Sequence, residues 1–424
     1  MPKHTKRHAK SVIAYLVVCV ILLCAMLSSC QSLPATSEGA SPVEATPQKV
    51  KAMPMRGVYI ASVSNLNFPS RPRLTVEEGT AELSVLVENC ASIGFDTIVF
   101  QVRPGADALY PSSVFPSSRF FTGEEGAPLA FDPLDVLCRL CAQKDLRVIA
   151  WVNPYRITTR AFDTKEDALA SLSVQNPARL HPEWTMFYGG RLFFDPALSE
   201  VRELVTDGVR EICENYPVAG VLFDDYFYPY PVQGEALQDT ALRLSPGDPD
   251  AFRRQSVNAL ISQTHQTVKS VSDDLSFGVA PFGIWQNKSS DMRGSDTRGL
   301  EAYSSLYCDA LAWIEEESID YLAPQLYWER GFAAADFTTL ARWWTDQVNG
   351  TGVGLVISYA AYKAGDFALG GEEIVAQMRS VRQTLGEIGS IQYGYADLCQ
   401  NSASVRDAIT AFYHENQEEG GGVV

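Results

Sequence analysis

The chain has 424 residues, of which 46% are hydrophobic and 20% charged, enough for one large globular domain with a sizeable core or for two ordinary ones. It carries 51 Asp and Glu against 34 Lys and Arg, a formal net charge of −17. That balance argues against nucleic acid or an anionic membrane surface as a partner, since both are held through clusters of Lys and Arg.

The first element is a leader. MPKHTKRHAK has four basic residues and no acid, SVIAYLVVCVILLCAML is an uncharged apolar run, and Leu27-Ser28-Ser29-Cys30 follows. A basic start, an apolar stretch and small residues at a cleavage point make a secretory signal. LSSC also resembles the bacterial lipobox, so residues 1–29 are expected to be a lipoprotein signal peptide and Cys30 the lipidated first residue of the mature chain. Losing the leader's four charges takes the net charge to about −21. Residues 30–54 are rich in Ser, Pro, Ala, Thr and Glu; such a segment cannot bury enough apolar surface to offset its ordering entropy and is expected to be a flexible linker. No second long apolar run exists. The membrane is therefore expected to be met only through the N-terminal lipid, with the body exported and facing the cell wall or periplasm. The globular body is expected over residues 55–415, followed by a disordered tail at 416–424.

From residue 56 short apolar, β-branched runs alternate with longer segments of helical period. The runs lie at 56–63, 97–104, 147–154, 220–227, 276–284, 320–328, 352–360 and 390–398. Helical spacing of apolar residues recurs at 75–92, 131–144, 199–215, 249–271, 302–318, 336–348 and 371–385. Strands alternating with helices imply a parallel sheet covered on both faces, and eight such units close a (β/α)8 TIM barrel. A doubly wound open sheet is the competitor. No Gly-rich phosphate fingerprint follows the first strand, which removes the nucleotide-binding version of that fold.

Polar residues gather at the C-terminal ends of the runs, where barrel enzymes place their chemistry. Arg103 ends the second, Asn153 and Tyr155 the third, Asp224 and Asp225 the fourth, and Gln325, Tyr327 and Glu329 the sixth. Alternation in GVLFDDYF puts Gly220, Leu222, Asp224 and Tyr226 on one face and Val221, Phe223 and Asp225 on the other. The bulkier apolar pair should meet the helices. Asp224 is then expected in the barrel mouth and Asp225 at its lip, an assignment that a bulge would exchange. Gln325, Tyr327 and Glu329 share a face directed inward by the same count.

Carboxylates from two strands on one rim are the minimum equipment of a glycosidase: one protonates the leaving oxygen, and the other stays ionised as nucleophile or as base for water. Asp224 is expected to be nucleophile or base and Glu329 the general acid, with Asp225 and Arg103 setting their charge states. Asn153, Tyr155, Gln325 and Tyr327 are expected to bind hydroxyls. Sugar rings need flat apolar platforms, which Tyr226, Trp285, Trp328 and Trp151 can supply, although any one of them alone would read as core packing.

The remaining features are bland. Six of nine cysteines fall in the body. Cys138 and Cys141 share a helix face with Leu134 and Leu137, and Cys90 continues Leu83, Leu86 and Val87. They read as buried thiols, with disulfides open in an exported chain. No second Cys pair or His cluster completes a zinc set, and Asp248 and Asp250 read as a helix start, so neither metal nor cofactor is expected. No G-x-S-x-G elbow or Cys–His arrangement stands out. Nothing calls for a protein partner.

RGVYIAS, GFDTIVFQVRPGADALYPS, FDPLDVL, WVNPYR, HPEW, GVLFDDYFYP, APFGIW, DYLAPQLYWE and AAYK, in that order over roughly residues 55–365, resemble the bacterial glycosyl hydrolase-like 10 family. The resemblance implies a TIM barrel related to glycoside hydrolases, often exported or lipid-anchored, acting on cell-wall glycan strands. Arg103, Asn153, Tyr155, Asp224, Asp225, Gln325, Tyr327 and Glu329 match its motifs. Gln286, Asp195 and Lys363 depart from residues common there. The resulting expectation is a glycoside hydrolase that cuts an envelope polysaccharide such as peptidoglycan glycan. The rivals are a non-catalytic carbohydrate-binding lipoprotein on a barrel scaffold and a metal-assisted polysaccharide deacetylase.

Overall fold

Each apolar run becomes a strand because it is buried on both faces, inside the barrel and under the helices. The computed structural model describes residues 50–420; the expected signal peptide, Cys30 and most of the linker lie outside the described residues. The barrel strands are β1 (Arg56–Ile60), β2 (Thr97–Arg103), β3 (Arg147–Val152) and β4 (Gly220–Phe223), then β5 (Ser276–Val279), β6 (Tyr321–Leu322), β7 (Gly354–Ala360) and β8 (Gly389–Tyr393). Neighbours pair in parallel and β1 closes on β8, so the barrel is complete and the open sheet is excluded. This is the (β/α)8 TIM barrel.

Alternation sorts the side chains into two cores. Tyr59, Val99, Ile149, Trp151, Leu222, Tyr321, Val356 and Ile391 fill the interior. Val58, Ile98, Phe100, Val221 and Phe223 pack outward against the helices. Gly278 on β5 has an interior role: a Cβ there would lie 2.2 Å from the Tyr321 ring, whose residue is wholly buried. Gly278→Ala should therefore cost about 1–3 kcal/mol through overpacking, read as a lower denaturant midpoint. An unchanged midpoint would show that the ring can yield.

Several helices start where capping residues stand. Thr75 and Glu78 form a capping box, Asp132 caps a helix opening on Pro133, and Asp248 caps the helix Pro249–Val271. The helix expected at 302–318 is instead two short ones, Ala302–Ser305 and Ala310–Glu315. Tyr307, at φ 55°, breaks it, and Asp309 caps the second piece. An antiparallel hairpin, Thr185–Tyr188 with Arg191–Phe194, was not expected. Its turn is Gly189-Gly190, both at positive φ, the Gly-Gly signal of a tight hairpin.

At the ends, Lys51 bridges Gly354 and Met53 lies 3.0 Å from where a Gly354 Cβ would stand, so the last linker residues already pack on the barrel. The final helix runs Val405–Gly420, past the expected boundary at 415. Cys90, Cys138, Cys141, Cys213 and Cys308 are buried free thiols, and Cys399 is exposed. No helix among the described residues is long and apolar enough to cross a membrane.

Candidate active site

Asp224 stands one residue past β4, on the face that Leu222 directs into the barrel. Its neighbour β3 sends Trp151 and Asn153 to the same place. Trp151 Nε1 donates to Asp224 Oδ2 at 3.0 Å, and Asn153 Nδ2 donates to Oδ2 at 3.0 Å and Oδ1 at 3.2 Å. The Tyr226 backbone N–H adds a bond to Oδ1 at 3.3 Å. Asp224 is only 4% exposed. Burial pushes its carboxyl up to about 6, the Arg156 charge opposes this, and the Asp225 charge adds to it.

Asp225 was expected at the lip, but it is as buried as Asp224 and lines the same cavity. The strand ends at Phe223 and the backbone turns, with Phe227 N–H bonded to Asp225 O, so strict alternation stops there. Gln325 Nε2 donates to Asp225 Oδ1 at 2.9 Å, and the Tyr230 hydroxyl donates to Oδ2. Burial raises this carboxyl too, against those two bonds.

The cavity between them measures about 330 Å³. One wall is aromatic: Tyr327 and Tyr393 are stacked at 6.1 Å between centroids, with Tyr362 edge-on to both. Phe282 and Trp328 meet edge to face at 5.6 Å. Lys363 is the one cation among the lining residues, and its Nζ donates to Tyr327 O at 3.0 Å. Two buried carboxylates facing a tyrosine and tryptophan wall form a pocket with a few convergent polar groups on an apolar lining.

The sequence profile described as glycosyl hydrolase-like 10 matches residues 54–369. The chain belongs to the glycosyl hydrolase-like 10 family. It is similar to glycosyl hydrolase YngK of Bacillus subtilis (strain 168), 38% identical over 367 residues that cover 84% of this chain and 71% of that one. It is also similar to glycosyl hydrolase DigH of Escherichia coli (strain K12), 36% identical over 372 residues covering 83% of each. Among solved structures, the PgaB (BpsB) glycoside hydrolase domain from Bordetella bronchiseptica matches with a TM-score of 0.52 at 12% identity, over 84% of this chain and 99% of that one. Alpha-L-fucosidase isoenzyme 2 from Paenibacillus thiaminolyticus matches with a TM-score of 0.51 at 14% identity, over 86% and 49%. At those identities the likeness concerns the barrel.

Within this family barrel, Tyr226, Gln325, Tyr327 and Trp328 line the cavity beside the aspartates, and Asn153 anchors Asp224. Four other candidates lie elsewhere. The β2–β3 register shifts between Gln101 and Arg103, and Arg103 is aimed out of the barrel. Its guanidinium stacks 3.6 Å over the Phe115 ring, against Gly208 on the helix Ser199–Asn215. None of its side-chain nitrogens has a hydrogen-bond partner among the described residues, and burial lowers it to about 10. The charge-setting role expected of Arg103 passes to Arg156. That guanidinium donates to Pro104 O at 2.9 and 2.8 Å and faces the Tyr226 ring at 5.0 Å.

Tyr155 packs in the helix layer because the chain turns after β3, its carbonyl accepting Phe194 N–H of the hairpin at 2.8 Å. Trp285 stacks on Trp343 at 6.0 Å and meets Tyr303 edge-on, as core packing. Glu329 does not line the cavity. Its β6 is two residues long with one further bridged residue, Gln325, so alternation beyond Gln325 has no strand beneath it, and Tyr327 and Trp328 both line the site. Next in the chain, Arg330 is drawn away to Glu373 at 2.9 Å. Glu329→Gln is accordingly expected to leave kcat unchanged; a large loss would return the general acid to that position.

Residues not singled out from sequence complete the site. Tyr59 on β1 packs against Trp151 at 5.3 Å and bonds Ser358 Oγ at 2.9 Å. Tyr230 and Arg156 lay within or just beyond the family motifs, Tyr393 lies past them on β8, and Lys363 stood out only as a departure from the family pattern. Among the described residues no group of three or more His, Cys, Asp and Glu is placed to hold a metal ion.

Proposed function

We propose that the protein hydrolyses O-glycosidic bonds of a cell-envelope polysaccharide, with peptidoglycan glycan strands as its substrate, from an exported position tethered through a lipid on Cys30. The observation that carries this reading is the buried aspartate pair with two different sets of hydrogen bonds. Both oxygens of Asp224 are occupied by N–H donors, which cannot accept a proton in return. Asp224 is therefore suited to stay ionised above its raised pKa of about 6, as nucleophile or as base for water. Asp225 Oδ2 is partnered by a hydroxyl, which can donate to the carboxylate or accept from the carboxylic acid. That suits a group that gives its proton to the leaving oxygen and takes one back from water.

Membership in a family whose two named relatives are glycosyl hydrolases supports the reaction class. The stacked tyrosines offer a platform to a sugar face, and Lys363 offers a charge to a sugar bearing a carboxylate, as muramic acid does. The test is incubation with purified glycan strands and with intact peptidoglycan, with products read by mass. New reducing ends are expected, and Asp225→Asn should remove them. Strands left intact by the wild-type protein under all conditions would overturn the proposal in favour of carbohydrate binding alone.

A further inference from the structure

A second cavity, of about 240 Å³, is formed by the segments that follow β2 and β3 on the same rim. Its walls are fixed by groups already committed to one another. Glu125 accepts from Arg119 at 2.7 Å, from Asn176 at 2.7 Å and from the Ser173 backbone at 3.2 Å. Asn176 also holds Ala106 O at 2.9 Å. Two groups keep capacity to spare. Asp107 is 7% exposed; the Ser118 hydroxyl bonds its carboxylate, and among the described residues its Oδ1 has no hydrogen-bond partner. Arg160 is exposed and lies 4.3 Å over the Phe162 ring.

An acceptor buried without a donor is costly, and native chains keep few of them. Here the residue that carries it lines a cavity, with Phe120 and Phe162 in the same lining. A carboxylate oxygen to take a hydroxyl or amide N–H, beside aromatic surface for C–H faces, is the chemistry that seats a sugar ring. One guanidinium links the two cavities. Arg156 donates to Pro104 O, and Pro104 lines the second cavity, while its guanidinium faces Tyr226, which lines the first. The next residue, Ile157, lines the second cavity.

We propose that this cavity is a second sugar subsite of the aspartate cleft, reached across Arg156, in which a neighbouring ring of the polysaccharide donates a hydroxyl or acetamido N–H to Asp107 Oδ1. Arg160 covers the mouth and donates to ring oxygens. The inference rests on reading the aspartate cavity as a glycan cleft, and it adds that affinity must grow with chain length.

The test is calorimetric binding of a disaccharide and of longer N-acetylglucosamine oligomers to the Asp225→Asn protein, alone and combined with Asp107→Asn or Arg160→Ala. Longer oligomers should bind more tightly than the disaccharide. Asp107→Asn should weaken the long ligands about tenfold, the worth of one hydrogen bond to a charged group, and leave the disaccharide unchanged. Arg160→Ala, at an exposed site that folding does not need, should act in the same direction. Equal effects on short and long ligands, or none, would overturn the subsite and leave the cleft standing. Failure of the Asp225→Asn protein to bind any length would overturn the reading of the cleft and the subsite with it.

Discussion

Asp224→Asn is expected to lower kcat by about a thousandfold with little change in KM, because it removes an interaction the transition state needs and the ground state does not. The geometry explains why so small a change should cost so much. The carboxylate is held by Trp151, Asn153 and the Tyr226 backbone, all of them donors, so its position is set for a negative group. An amide is neutral, and in either orientation it sets its own N–H groups against one set of those donors. The wild-type rate should rise as pH climbs through about 6, where Asp224 loses its proton, and that limb should be missing in the variant. Asp225→Asn should behave differently. A substrate with a good leaving group needs no proton from Asp225, so an activated aryl glycoside should recover much of the loss. Wild-type turnover by Asp224→Asn would remove this aspartate from the chemistry altogether.

The candidate site was legible in sequence only where a strand lay under the count. From Gly220 to Asp224 the alternation runs on four residues of real strand, so Leu222 marks the inward face and Asp224 inherits it. One residue later it fails, since Asp225 enters the same cavity after the backbone turns. Arg103 stands on a strand, but a register shift after Gln101 redirects it, and no residue type in TIVFQVRP announces that shift. Glu329 was placed by counting seven residues past a strand that is only Tyr321–Leu322. The barrel itself tolerates such slips, because burial on both faces needs only apolar runs of about the right length. A catalytic assignment does not, because it depends on which face a single side chain occupies. Tyr230 illustrates the limit: it reaches Asp225 from a loop, and its reach follows from the loop path rather than from any period.

Between about pH 4 and pH 6 the folded state is expected to lose stability as pH rises. Asp224 and Asp107 have carboxyls raised from 3.8 to about 6, in each case chiefly by burial. Burial also raises Asp225 and Asp309. A carboxyl raised on folding binds its proton more tightly in the native chain. Its favourable contribution is complete below the unfolded value near 4 and is gone once pH passes the folded value. At about 1.4 kcal/mol per unit, Asp224 and Asp107 together set the scale at about 6 kcal/mol, an upper figure for two buried groups. The oppositely shifted carboxyls, Glu301 and Glu373 among them, oppose this only at the low end of the window, where their unfolded forms take up protons near 4.5. Asp291 and Asp320, held down to about 2, are ionised in both states across the window and withdraw their support only as pH falls below about 4. The net charge of −17 adds self-repulsion as protons leave, with the same sign. Denaturant midpoints should therefore be higher near pH 5 than near pH 7, and Asp107→Asn should flatten part of that slope. A midpoint that climbs from pH 5 to pH 7 would contradict the burial of these ionised carboxylates. If it falls, stability and turnover pull in opposite directions at Asp224, since turnover requires the ionised form that the fold disfavours.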